Sequence, residues 1–270
     1  MSLPIAVQLY SVRDEASKNF EETLKAVKDA GYQGVEFAGL YGLTASEIKA
    51  LCHKYELVPV SAHVPYYDMV KDPKGVLSVY AEIGCQYVAI PYLTPECRPG
   101  TSGFSDVIKN AKLLGETANK LKMTLLYHNH DFEFTKLDGK YALDLLYESV
   151  PASLLQTELD TCWVSVGGES PADYIKKYSG RCPVVHLKDY SGSRGENMYE
   201  LIGIKTEKQA SGPFEFRPVG HGVLDFVEIT KAATENGAKW LIVEQDRPSM
   251  GLTPIESIAK SRQYLQSIGF

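Results

Sequence analysis

A (β/α)8 barrel, the TIM barrel, is the fold class the sequence predicts, as one domain over residues 1–270. Three observations lead there. Eight short apolar runs, rich in Val, Ile, Leu and Tyr, recur along the chain. They are apolar throughout rather than alternating, as are parallel strands buried on both faces. Between them lie stretches with helical periodicity, giving a strand–helix rhythm of roughly 25–35 residues. A doubly wound open sheet is the structural rival. It usually advertises a Gly-rich turn after its first strand, and "QLYSVRDE" has no glycine.

The first strand, "IAVQLY" (5–10), leads to a helix over 19–32, where Phe20, Leu24 and Val27 share a face and Gly31 marks the stop. After the strand "GVEFA" (34–38), the helix 44–57 opens with Thr44 and carries Glu47 three residues on, a capping box. "VPVSAH" (58–63) and "YVAIP" (87–91) are the third and fourth strands. The helix 103–122 sets Val107, Ala111, Leu114, Ala118 and Leu121 on one face. "MTLLYHNH" (123–130), "LLQTELD" (154–160) and "PVVHLKD" (183–189) follow as strands five to seven. The long Gly- and charge-rich gap 192–222 reads as a loop inserted over one end of the barrel, and a helix begins near Asp225. "WLIVEQD" (240–246) is the eighth strand, and Thr253 with Pro254 starts the closing helix.

Composition narrows the function classes. Hydrophobic content of 44% and charged content of 23% are those of a soluble globular chain. A net charge of -6 argues against nucleic acid as partner. No apolar stretch is long enough for a membrane span, and no basic leader precedes an apolar run. The five cysteines form no CxxC pair, so free thiols in a reducing compartment, the cytoplasm, are expected. Homo-oligomerisation is left open.

The working face of such a barrel is the C-terminal end of its strands. Gln8, Glu36 and His63 end the first three strands, and His128, His130 and Glu133 end the fifth. Glu158 and Asp160 end the sixth, His186, Lys188 and Asp189 the seventh, Glu244 and Asp246 the eighth. Only the fourth strand, ending "AIPY", brings no carboxylate, imidazole, amide or amine. A lone strand-end carboxylate is usually a cap, and a lone histidine a satisfied hydrogen bonder. Yet five of the six histidines sit at strand ends or in the inserted loop, and only His53 lies on a helix. His128 and His130 share a side by strand parity, as do Glu158 and Asp160, and His186 and Lys188. Imidazoles and carboxylates converging from separate strands suit one divalent ion, Mn²⁺, Zn²⁺, Fe²⁺ or Co²⁺ rather than Ca²⁺.

These residues resemble a family. "QLYSVRD", "YHNHDFEF", "ELDTCWV", "HLKD" and "VEQD" look like the xylose-isomerase-like barrel superfamily, over essentially the whole chain. That group includes sugar isomerases, ketose 3-epimerases, inosose dehydratase and endonuclease IV. In its epimerases a glutamate, an aspartate, a histidine and a glutamate on strands five to eight hold one metal. The resemblance therefore implies Asp160, His186 and Glu244 as ligands, with His128 standing where relatives often have a glutamate. The two-glutamate epimerisation of the family is altered by that exchange. Glu133 and Glu158 are candidate replacements, and His130 and Lys188 further acid or base candidates beside Glu244. Gln8, Glu36, His63, Trp163 and His221 are expected to meet substrate, Trp163 from a loop past strand six and His221 from the inserted loop as a lid. Arg194, Lys205, Lys208 and Arg217 offer positive charge for a phosphate.

The implied activity is a metal-dependent sugar or keto-sugar isomerase or epimerase, acting by proton abstraction next to a carbonyl. A keto-sugar lyase or dehydratase and a non-catalytic sugar-binding barrel are the alternatives. An abasic-site nuclease fits less well, because Trp163 stands where the nuclease pattern has a histidine.

Overall fold

The computed structural model describes residues 2–195, 198–199 and 213–270. Its eight parallel strands are β1 (Ile5–Gln8), β2 (Gly34–Phe37), β3 (Val58–Ala62), β4 (Tyr87–Ile90), β5 (Thr124–His128), β6 (Gln156–Asp160), β7 (Val184–Leu187) and β8 (Trp240–Val243). Their order in the sheet is β3-β2-β1-β8-β7-β6-β5-β4. The seam is joined by a parallel bridge between His63 and Ala89 and by Val64 N donating to Ala89 O at 3.1 Å. The strand–helix rhythm of the sequence is thus a TIM barrel.

Both faces of each strand are buried, and they do different work. Inward residues Ala6, Val60, Ala89, Leu126, Val184, Trp240 and Ile242 fill the barrel floor. Their outward neighbours, such as Val7, Val35, Leu125, Leu159, Val185 and Leu241, pack under the helices. That division explains why the runs are continuously apolar. At Gly34 a Cβ would come within 2.7 Å of Val60 Cγ2 and 2.9 Å of Val58 O, so only glycine lets the Trp240 ring enter the floor there.

The helix signals hold in detail. Thr44 and Glu47 form both bonds of a capping box ahead of the helix Ala45–Lys54, and Thr253 with Glu256 does the same ahead of Pro254–Ser267. Asn19 and Asp225 cap Phe20–Asp29 and Phe226–Glu235. Gly31 follows the first of these with φ of 93°. All five cysteines are free and buried. Among the described residues no helix is long and apolar enough to cross a membrane.

Two local readings change. Trp163 lies in a short helix, Thr161–Val166, rather than a loop, because the Asp160 side chain accepts from Trp163 N at 2.9 Å and turns the chain at once. The described residues of the predicted loop 192–222 include a strand. Asp189–Ser191 pairs antiparallel with Glu215–Arg217, and Asp189 accepts from the backbone N–H groups of Gly220 and Gly222 at 3.0 and 2.8 Å. A Cβ on Gly222 would lie 2.2 Å from Tyr190 O, which accounts for glycine at that close approach. Residues 196–197 and 200–212, with Lys205 and Lys208 among them, lie outside the described residues.

Candidate active site

Above the apolar floor the inward positions turn polar. Registers of the parallel ladder set Gln8 beside Glu36, His128 beside Glu158, and Asp160 beside His186. Two layers result.

In the lower layer, Glu36 Oε2 faces three nitrogens: His186 Nε2 at 2.6 Å, Gln8 Nε2 at 2.8 Å and His63 Nε2 at 3.3 Å. His63 Nε2 also meets Glu158 Oε2 at 2.6 Å, and the His63 and His186 rings stack with centroids 5.1 Å apart. Burial opposes ionisation of Glu36, but His63 and His186 outweigh it and hold its carboxyl below the usual range. Glu158 goes the other way. Burial, reinforced by the Glu36 charge, pushes it well above. Burial lowers His63, and Glu36 offsets part of that.

The upper layer is spaced more widely. His128 Nε2 lies 3.3 Å from Asp160 Oδ2 and 3.7 Å from Glu244 Oε2, and His186 Nδ1 lies 3.4 Å from the same Glu244 oxygen. Donor atoms of His128, Asp160, His186 and Glu244 fall within 4.8 Å of one another. His128 Nε2 and Asp160 Oδ2 are buried with no hydrogen-bond partner. Orphaned donor atoms of this kind, facing each other across a gap, fit a divalent ion.

Lys188 borders this set. Its Nζ lies 2.9 Å from Glu244 Oε2 and 2.6 Å from Asp246 Oδ1. Burial disfavours its charge, but Asp246 and Glu244 outweigh that and hold it well above its ordinary value. Burial likewise opposes a Glu244 anion, yet Lys188 and His186 keep it well below.

His130 stands to one side, stacked between Phe132 and Trp163, its Nδ1 buried without a partner. Burial, then His128 and Lys188, push its imidazole well below the ordinary range. Glu133 lies behind it, accepting from His130 N at 2.8 Å and from the Tyr127 hydroxyl; burial pushes its carboxyl up to about 8. Trp163 is fully buried, walled by Tyr199, Phe214 and Phe216, with Lys188 Nζ 5.4 Å above its ring.

The barrel therefore brings Gln8, Glu36, His63, His128, Glu158, Asp160, His186, Lys188 and Glu244 together, with His130, Glu133 and Trp163 packed beside them. It does not bring His221 there. That side chain is exposed, its ring 6.2 Å from Tyr264 on the closing helix, because the turn it occupies is pulled down onto Asp189. Arg217 pairs with Ser191 and Glu215 within the ribbon, and Arg194 with Asp131. The sequence reading passed over Asn129, whose Oδ1 accepts from Asp160 N at 3.0 Å, and Asp131, held by Arg194 and the Tyr199 hydroxyl. The density of polar groups in "HNHD" is the signal for both.

A barrel floor closed by apolar side chains under a mouth of convergent imidazoles and carboxylates is the arrangement of (β/α)8 enzymes, whose active face lies at the strand C-termini. The chain belongs to the xylose isomerase-like TIM barrel family, whose model matches residues 24–268. Among curated relatives, the inosose dehydratase of Clostridium tetani is 29% identical over 166 residues, which are 60% of this chain and 54% of that one. The inosose dehydratase of Clostridium botulinum strain Eklund 17B is 30% identical over 57% of this chain and 50% of that one. In these alignments the chain spans about half the length of the curated relatives it matches. The enzyme of the same name from Clostridium botulinum strain Alaska E43 is 23% identical over 92% of this chain and 89% of that one. Among solved structures, a sugar phosphate isomerase/epimerase from Parabacteroides distasonis superposes with a TM-score of 0.79 at 22% identity, covering 99% of this chain and 94% of that one. An L-ribulose 3-epimerase superposes with a TM-score of 0.73 at 17% identity, with the same coverage of each chain. At these identities the structural likeness is one of fold.

Proposed function

We propose that this chain is a metal-dependent lyase that removes water from a keto-polyol of the inosose type. The observation that carries the reading is the four-donor set His128, Asp160, His186 and Glu244 with the Lys188 ammonium at its edge. A divalent ion held by these four side chains would polarise the substrate carbonyl and acidify the adjacent C–H. Glu244 takes that proton as base. The C–H electrons form the new C=C bond as the neighbouring C–O bond breaks, and Lys188 gives a proton to the departing hydroxide, which leaves as water. Because Lys188 Nζ and Glu244 Oε2 are 2.9 Å apart, base and acid serve the same side of the substrate, which favours a syn elimination. Glu158 sits one layer lower, fully buried against His63, where it braces rather than reacts. The curated relatives named inosose dehydratase support the choice of substrate.

His130 supports a second reading, epimerisation or isomerisation. Its unpartnered Nδ1, on the strand-five side of the mouth, offers another proton carrier besides Glu244. The free thiols support a reducing compartment such as the cytoplasm.

The test is incubation of the purified protein, loaded in turn with Mn²⁺, Co²⁺ and Zn²⁺, with an inosose in deuterated water. Loss of one water from the substrate, slowed by about 10²–10⁴-fold in Lys188→Met, is the expected result. A product of unchanged formula carrying solvent deuterium supports the second reading. Bound metal without any turnover of an inosose overturns the dehydratase.

A further inference from the structure

The two histidines of the upper set present different nitrogens to it. His128 turns Nε2 toward Asp160 while its Nδ1 lies 3.2 Å from Pro91 O. His186 turns Nδ1 toward Glu244 while its Nε2 lies 2.6 Å from Glu36 Oε2. A backbone carbonyl can only accept, so His128 carries its proton on Nδ1. What fixes the proton on His186 is the environment of Glu36.

Gln8 supplies the argument. Its Oε1 accepts from Tyr10 N at 2.9 Å, and a backbone N–H only donates, so that end of the amide is the oxygen. The other end, Nε2, therefore donates to Glu36 Oε2 at 2.8 Å. An oxygen that already accepts from Gln8 and faces two imidazole nitrogens is placed as an acceptor. His186 Nε2 then holds a hydrogen, and Nδ1 is the nitrogen left facing the upper set, 3.4 Å from Glu244 Oε2. Neither Gln8 nor Glu36 has exposed surface through which to meet substrate.

We infer that Gln8 and Glu36 are a positioning pair that holds His186 with Nε2–H in the lower layer and Nδ1 open to the divalent ion, an inference that rests on the metal reading above. Without that bond the ring's aim would rest on its packing against His63 and His128. A carboxylate partner also makes the opposite nitrogen more basic than the carbonyl behind His128 does. Partners of this kind are commonly worth 10–100-fold in metal affinity.

Two measurements test it, neither of them turnover. Metal-free protein labelled with 15N-histidine is expected to show a hydrogen-bonded proton on His186 Nε2, which Glu36→Leu exposes to rapid exchange. Titration of the same proteins with Zn²⁺ is expected to show binding about 10–100-fold weaker for Glu36→Leu. Glu36→Gln, which keeps an accepting oxygen but no charge, falls between wild type and leucine. Leu126→Val, a change in the apolar floor, is expected to lower stability and leave both readouts where they were. Should Glu36→Leu not fold, Glu36→Gln and Gln8→Met carry the same comparison. A wild-type His186 with no proton on Nε2 overturns the inference, as does a folded Glu36 variant that binds Zn²⁺ within twofold of wild type. If wild type binds no metal, the functional reading falls while the Nε2 proton still decides the orientation.

Discussion

The two polar layers of the barrel mouth are made of the same kinds of side chain, imidazoles and carboxylates, and their spacing separates them. In the lower layer imidazole and carboxylate atoms meet at 2.6 Å, His63 on Glu158 and His186 on Glu36. In the upper layer the corresponding distances are 3.3, 3.4 and 3.7 Å, and His128 Nε2 and Asp160 Oδ2 have no hydrogen-bond partner. The first spacing is that of a short, charge-assisted hydrogen bond. The second is close to the edge of a tetrahedron around an ion with bonds of about 2.0–2.1 Å, roughly 3.3 Å. Composition does not tell a brace from a ligand set, nor do unsatisfied atoms alone: Glu36, His63, Glu158 and His186 could also gather around an ion, and Glu36 Oε1 and Glu158 Oε1 are buried without partners. The 2.6 Å contacts are what set the lower layer apart.

The largest expected effect is in the upper layer. Asp160→Ala should abolish stoichiometric metal in the purified protein, measured by elemental analysis. It also removes the cap on Trp163 N, at a cost of about 1 kcal/mol in stability. Asp160→Asn keeps an oxygen for that cap, so metal loss without the stability loss would separate the two roles. Retention of a full equivalent by either variant would collapse the distinction between the layers.

Lys188→Met leaves the four donors in place and removes the ammonium. Metal content should hold while kcat falls by about 10²–10⁴-fold, the usual worth of a proton donor. A fall in metal content instead would make Lys188 a structural counter-charge to Glu244 and Asp246.

The apolar floor gives the contrasting arm. Leu126 is fully buried there, so Leu126→Ala should cost about 2–5 kcal/mol in denaturant unfolding. Metal stoichiometry in the folded fraction should be unchanged. A parallel loss of metal would mean that floor and mouth are not independent.

Glu133 sharpens the comparison by pH. Its carboxyl, pushed up to about 8 by burial, binds a proton in the folded chain that the unfolded chain releases near its ordinary value of 4.5. Stability therefore falls as pH rises between those two values, by up to about 1.4 kcal/mol per pH unit, and the slope ends above about 8. Glu133→Gln, neutral throughout, should flatten that part of the profile. An unchanged slope would remove Glu133 as its source.

By itself the sequence determined the elements and which strand ends would carry the polar groups of the candidate site. Continuous apolar runs, the Thr44–Glu47 and Thr253–Glu256 boxes and the helical stripe of 103–122 are local patterns, and the barrel realises each of them. Strand parity was enough to pair Glu158 with Asp160 and His186 with Lys188 on the inward side, because successive side chains alternate by geometry alone. Tertiary structure alone decided depth and partners. Gln8 and Glu36 look like any polar strand ends in sequence, yet the register of β1 on β2 and the reach of His186 from β7 bury them under the mouth. Trp163 was turned inward by a cap from Asp160, and His221 was carried outward by a turn anchored on Asp189. Contacts between residues 28 or 150 positions apart, such as Gln8 with Glu36 and Glu36 with His186, leave no periodic trace, since they exist only once eight strands close on each other.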